Sequence, residues 1–453
     1  MRNYMYRFIF VTLLWALASC SDYLDVKPDK SLVVPQTLKD LRGLLDNSVL
    51  MNGSHSTLSV IGSDNFFVEP ETWQSLVVLP EKNAYVWNED IYESDINIMD
   101  WKYPYQQIYN TNLVLETLDK IERTSMNAIE YDELQGSAYF CRAWAYYQLA
   151  QLFCKTYDAR TSDVDLGLPL KLESDINIQP RRSSVAITYM QIVGDLKNAL
   201  ELLSAKSETK TRPSQQAAYA LMARTLLVMD DFDNAYLYAD SALTIDNELL
   251  DLNIMDANEE FPFIRFNREV IFHTAMVSST ILHPRNLQVD PSLYGLYEEN
   301  DLRKHIFFTM GNNGSPTFKG SYNGDRFLFA GLSTNELYLI KAECAVRTGK
   351  MEEANASLNT LLKNRYPEGW EGINETERNR LLDIILRERR KELPFRGIRW
   401  SDLRRLNKHH DHAITLTRQM GDQTFMLEPN SERYVLPIPD IVIELSGIRQ
   451  NPR

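Results

Sequence analysis

Hydrophobic positions along this chain follow three patterns, and each predicts a different kind of segment. At the N-terminus, Arg2 and Arg7 accompany an apolar run, Phe8–Ala18 (FIFVTLLWALA), that closes on Leu17-Ala18-Ser19-Cys20. A basic stretch, an apolar stretch and a small-residue cleavage site make a secretory signal over residues 1–19. Such a run reaches roughly 16 Å as helix, about half of a ~30 Å hydrocarbon core, too short for a permanent span. A cysteine directly after the small residues is what bacterial lipoprotein processing alkylates with a diacylglyceryl group. One acyl chain binds marginally and two or more anchor stably, so diacylglyceryl and palmitate chains on Cys20 would keep the mature protein on its membrane. An ordinary secreted protein is the alternative.

The second pattern is a helical period. Over 104–123, Ile108, Val114, Leu115, Leu118 and Ile121 form one stripe, and over 132–155, Ala138, Cys141, Ala145, Leu149 and Leu152 step by three or four. Gly167-Leu168-Pro169 breaks the chain. Helices are expected again from Ser184 to Leu203, from Pro213 to Met229, over Asp231–Leu243, and over 334–348, 351–364 and 375–393. Ser21–Asn47 is polar and ends in a helix-like stretch, Thr37–Leu45.

The third pattern is the absence of any period. Positions 48–102 carry Gly53, Gly62, Pro70 and Pro80 among the aromatics Trp73, Tyr85, Trp87, Tyr92 and Trp101. Positions 247–332 are similar, with a strand-like Glu269–Phe272 and a Gly/Asn-rich loop at 311–324. Long irregular regions in compact domains are functional or disordered, and the aromatic content argues against disorder.

Two helix pairs share a design. Asp231-Phe232-Asp233-Asn234-Ala235 joins one pair and is followed by Tyr238, Ala239, Ala242 and Leu243; Gly349-Lys350-Met351-Glu352-Glu353-Ala354 joins the other and is followed by Leu358 and Leu361. A turn, small residues at a close crossing, then large apolar residues is a degenerate tetratricopeptide-like arrangement. The expected fold is mainly α: tetratricopeptide-like helix pairs forming a scaffold, with long irregular loops and few short strands. After the signal, residues 20–453 read as one domain with halves at 20–250 and 251–453.

Composition narrows the function. With 44% hydrophobic and 24% charged residues the chain is of ordinary globular type. A net charge of −14 argues against nucleic acid and anionic surfaces as partners. Cys141, Cys154 and Cys344 make no paired framework, and Cys141 and Cys344 read as core residues. There is no GxSxG, HExxH, GxxxxGK or GxGxxG. His409-His410-Asp411-His412 reads as an exposed polar turn rather than a metal site. Glu388 and Glu392 share a helix face, but nearby Arg389, Arg390 and Arg399 point to salt bridges rather than general-acid chemistry. Neither a cofactor nor a metal is expected.

Several segments in order resemble the SusD/RagB-type outer-membrane lipoproteins. They are Cys20-Ser21-Asp22-Tyr23-Leu24-Asp25, Tyr105–Asn112, Gly136–Tyr147, Leu166–Leu170, Pro291–Tyr294 with Asp301-Leu302-Arg303, Arg387–Trp400 with Asp402–Arg405, Leu436–Pro439 and Gln450-Asn451-Pro452. Arg396 stands where the family usually has an acid, and Pro394 replaces a small residue. The resemblance implies a surface lipoprotein that captures an oligosaccharide or other nutrient and hands it to a SusC-like TonB-dependent transporter, with Asp22 and Asp25 fitting an export signal.

Flat aromatics bury the C–H face of a sugar while polar side chains meet its hydroxyls. Trp101, Trp87 and Trp73 are therefore the expected platforms and Asp64 and Asn65 the polar partners, with Tyr297 and Tyr322 ranked lower. Trp144, Tyr146, Tyr147 and Trp400 are expected to be structural. A scaffold that binds a protein or peptide, with its exposed aromatics on a helical face, is the alternative. A glycoside hydrolase with two facing carboxylates is a third reading.

Overall fold

Thr37 opens the first helix among the described residues of the structure, a computed structural model that describes residues 35–93, 95–178, 180–311 and 314–453. Its hydroxyl accepts the Asp40 N–H while the Asp40 carboxylate accepts the Thr37 N–H, a reciprocal cap that starts α1 (Leu38–Leu45). The expected lipid site, Cys20, lies outside the described residues, as do Asp22 and Asp25.

Positions 48–102 hold helices too short for a 3.6-residue period to register: Ser48–Met51, Leu58–Ile61, Pro70–Gln74 and α2 (Leu79–Tyr85). The long helices follow. They are α3 (Met99–Leu118), α4 (Ala128–Phe153), α5 (Val185–Leu202), α6 (Gln215–Val228) and α7 (Phe232–Ile245). Capping residues set several of their starts, with the side chains of Ser184, Ser214 and Asp231 accepting backbone N–H groups of the first turns of α5, α6 and α7. Consecutive helices pack on one another through the whole series. Ala235, Ala239 and Ala242 are fully buried where α7 meets its neighbours, as the tetratricopeptide-like reading requires.

The chain then leaves the stack and returns as α8 (Thr334–Arg347), which packs directly against α7. The stack is thus continuous in space although interrupted in sequence. It continues with α9 (Met351–Leu362) and α10 (Arg378–Glu392), both against α8, around a second apolar cluster that includes Ala354, Leu358 and Leu381. After α10 come α11 (Arg399–Leu406), an antiparallel hairpin of Leu416–Met420 with Gln423–Leu427, and α12 (Asp440–Ser446). All the named sheets are two-stranded among the described residues. The strand expected at Glu269–Phe272 is Val270–Phe272, which pairs with Leu332–Ser333.

Helix α4 is more deeply embedded than a single apolar stripe implies. From Gly136 to Phe153 every residue but Tyr139 is buried, Trp144, Tyr146 and Tyr147 included. The buried Arg142 is tolerated because its guanidinium forms a two-pronged pair with Asp195 on α5 (2.8 and 2.7 Å) and donates to Asn112 on α3. Cys141, Cys154 and Cys344 are buried free thiols. No helix among the described residues is long and apolar enough to cross a membrane.

Candidate functional site

Most of the loop aromatics point inward, a departure from the expectation of exposed platforms. Trp87 is 2% exposed; its indole N–H donates to the Gly62 carbonyl and its ring lies 4.7 Å from the buried Arg418 guanidinium. Tyr297 donates to the Lys391 carbonyl and Tyr322 to the Glu269 carboxylate, both buried. Trp73 is half-buried, with its N–H on the Lys82 carbonyl and its ring against Phe425. These rings anchor loops because aromatic enrichment without a helical period marks a packed loop as readily as a binding one.

The polar candidates are also engaged. Asp64 takes a two-pronged pair from Arg399 (2.7 and 2.8 Å) and a further contact from Arg390 at 3.1 Å. Burial opposes its ionisation, but the Arg399 guanidinium outweighs this and holds the carboxyl well below the usual range. Asn65 is buried, its carbonyl accepting the Asp290 N–H, and its side-chain Oδ1 has no hydrogen-bond partner among the described residues.

Trp101 is different. It sits in the first turn of α3, 7% exposed, and begins a row that continues through Tyr105 and Tyr109 at steps of four along one helix face. The Trp101 and Tyr105 rings lie 4.8 Å apart, and Phe153 meets Trp101 edge-on. Tyr109, at the open end, is 43% exposed. This row forms one side of a groove of about 740 Å³, whose other sides are the 169–180 loop and α12 with the residues after it. That volume suits a bound small molecule or a few sugar rings.

The groove walls are held by built-in contacts. Asn112 donates to the carbonyls of Lys171 and Glu173, Tyr146 donates to that of Lys171 at 2.6 Å, and Tyr105 donates to that of Pro169 at 3.0 Å. Burial pushes the Tyr105 phenol well above its ordinary value, so it stays a donor. On the opposite side, Gln450 makes two 2.8 Å hydrogen bonds with the Ile438 backbone, and Asn451 donates to the carbonyls of Phe153 and Leu436. The rim carries Lys102, Gln106, Asn110, Lys171, Glu173 and Asp175. Tyr105 and Tyr109 were passed over in the sequence, although their steps of four from Trp101 were a signal that could have found them. The α12 wall carried no such signal, because its approach to α3 is a tertiary event.

Two family models match the chain in succession. One, described as starch-binding associating with outer membrane, covers residues 22–227, and the other, described as SusD family, covers residues 334–453. The chain belongs to the SusD family. It is 25% identical over 278 residues, 56% of its length, to SusD-like protein P2 of Formosa agariphila, and spans half the length of that relative. A SusD superfamily protein from Bacteroides thetaiotaomicron superposes with a TM-score of 0.74 at 21% identity, over 92% of this chain and 100% of that one. Surface glycan-binding protein A from Bacteroides uniformis gives 0.69 at 17% identity, over 92% and 99%. These structures share the fold.

The SusD-type motif at Arg387–Arg405 lies at the centre of a buried ion network. Glu388 and Glu392 are salt-bridged, but their partners are Arg303, Arg365 and Lys391 rather than the neighbouring Arg389, Arg390 and Arg399. Arg389 turns to Asp402 instead, and Arg390 and Arg399 to Asp64. Arg396, in the place of the usual acid, lies 3.8 Å from the Tyr322 ring centroid and donates to Ser333. No group of three or more His, Cys, Asp or Glu among the described residues could hold a metal, and His410 and Asp411 are exposed.

Proposed function

We propose that this SusD-family chain binds oligosaccharides in the Trp101 groove at the cell surface and passes them to a SusC-like TonB-dependent outer-membrane transporter. Acyl chains on Cys20 would tether it to the outer membrane, facing the exterior, with no nucleic-acid partner and no catalysis of its own. The observation that carries the reading is the row Trp101–Tyr105–Tyr109 along a groove with a polar rim. Flat rings bury sugar C–H faces at little conformational cost, and Gln106, Asn110 and Lys102 are placed to meet hydroxyls. The similar proteins described as starch-binding and glycan-binding support the same ligand class.

Isothermal calorimetry against a panel of neutral oligosaccharides tests it. Trp101→Ala and Tyr109→Ala should each weaken binding at least tenfold with helix content unchanged, and unaltered affinity in folded variants would remove the groove from the site. A Cys20→Ala variant should leave the outer-membrane fraction.

One observation favours a second reading, a protein or peptide ligand: the exposed ring Tyr109 rides on a helix, not on a loop. An apolar peptide in the same titration separates the two. A hydrolytic reading has less behind it, because the groove's acids, Glu173 and Asp175, are two residues apart on one loop rather than on separate elements.

A further inference from the structure

The groove is more apolar than a plain sugar chain requires. Opposite the aromatic row stand aliphatic side chains from two separate segments, Ile176 on the loop and Val442, Leu445 and Ile448 on and after α12, with Ile96 beside the mouth. Ile96, Ile176 and Leu445 are each 72% exposed, a heavy concentration of solvated aliphatic surface around one opening. An unsubstituted sugar offers a C–H face to the rings, but its rim of hydroxyls would run against these flanking aliphatic side chains. Each hydroxyl stripped of water there without a partner loses binding. A methyl group in the same place gains it.

The rest of the groove narrows the ligand further. Its rim holds two cations, Lys102 and Lys171, and two acids, Glu173 and Asp175, so it offers no net charge to a uronic or sulfated glycan. The chain's overall charge of −14 disfavours such ligands as well. A peptide would bring backbone groups that need partners. The carbonyls of Pro169, Lys171 and Glu173 along the loop wall are already taken by Tyr105, Asn112 and Tyr146.

Resting on the glycan reading above, we infer that the groove selects neutral oligosaccharides carrying acetyl groups. Sugar rings would stack on Trp101, Tyr105 and Tyr109, and the acetyl methyls would lie against Ile176 and Leu445. Esters and amides present the same methyl, so both sources belong to the test.

Calorimetry would compare O-acetylated xylo-oligosaccharides with the same sample after saponification, and N-acetyl chito-oligosaccharides with unsubstituted cello-oligosaccharides. The expected result is at least tenfold tighter binding of an acetylated member, equivalent to about 1.4 kcal/mol. In the exposed double variant Ile176→Ser/Leu445→Ser the ratio should collapse toward one. Equal affinity for acetylated and plain chains, with both lost in Trp101→Ala, overturns the acetyl preference and leaves the glycan site standing. Failure of every glycan to bind overturns both readings. So does saturation by an apolar peptide alone, or a dimer in sedimentation that Leu445→Ser abolishes.

Discussion

Replacing Arg303 with methionine tests the buried network most directly. The Arg303 side chain is fully buried and pairs with three carboxylates: Asp301 (2.8 Å), Glu388 (2.6 Å) and Glu392 (3.0 Å). Methionine keeps the apolar bulk and removes the charge, leaving those acids to share Lys391 and Arg365. Breaking one buried pair costs about 3–5 kcal/mol, and the two remaining cations keep the loss in that range. With an unfolding entropy of about 2.1 cal/mol/K per residue, each kcal/mol moves Tm by roughly 1 °C in a chain of this size. A fall of about 3–5 °C is therefore expected by differential scanning fluorimetry near pH 7.5. The sign of the pH dependence is also set. In the native protein burial opposes ionisation of Asp301 and Glu392, yet Arg303 on the first and Arg365 with Arg303 on the second hold both below their ordinary values. That stabilisation is complete at neutral pH and fades as pH falls through the folded values. In Arg303→Met a buried acid without its cation titrates upward instead and is relieved by taking a proton. The gap between the two proteins should thus narrow from pH about 7.5 to about 4.5. A gap under about 1 °C, or one independent of pH, would refute the reasoning.

Three further buried contacts set expected outcomes. Asp64→Asn removes the charge that Arg399 and Arg390 share; losing charge-assisted hydrogen bonds worth about 1.5–3 kcal/mol should lower Tm by roughly 2–3 °C and leave glycan affinity unchanged. Lost binding at unchanged Tm would return Asp64 to the ligand. A Cβ at Gly62 would lie 2.8 Å from the Trp400 ring, which is backed by Tyr434, so Gly62→Val should cost about 1–3 kcal/mol, read in the same thermal scan; an unshifted Tm would show that the ring can move. Burial pushes the Cys141 and Cys154 thiols up to about 12, so these and Cys344 should be silent to a thiol reagent at pH about 8 until denaturant is added; labelling of the folded protein would contradict that burial.

The helical stack was legible because its signals are local. Caps at Thr37, Ser184, Ser214 and Asp231 and small residues at Ala235, Ala239 and Ala242 mark helices and close crossings within a few positions of each other. The short helices of 48–102 escaped notice because four to seven residues cannot display a period. The candidate site was half legible. Trp101 stood out by type and place, whereas Tyr105 and Tyr109 were missed because the helix was expected to begin only at 104, which left Trp101 outside the face they share. Trp87, Tyr297 and Tyr322 drew attention for the same chemistry but lie inside, where their polar tips meet Gly62, Lys391 and Glu269. Nothing local distinguishes a ring that grips a ligand from one that grips its own loop.

What joins these observations is the way the SusD-type motif ties long excursions of the chain to the helices. Asp64 belongs to the first irregular region and Asp301 and Arg303 to the second, and all three end on charged residues of α10 or α11. Arg404 of α11 donates to the carbonyls of Gln151 and Cys154, where α4 ends, and Asn451 donates to the neighbouring Phe153 carbonyl. The end of α4 thus receives both the motif helix and the closing segment, and Phe153 itself supports Trp101 edge-on. A rigid groove needs this, because the two sides built on α3 and α12 come from residues 96–112 and 439–448, far apart in sequence. The buried charges add little net stability over apolar packing, but separating either partner of a pair strands the other in the core, which penalises any displacement of an excursion from its seat. The ring row is therefore presented in a fixed place to whatever enters the groove.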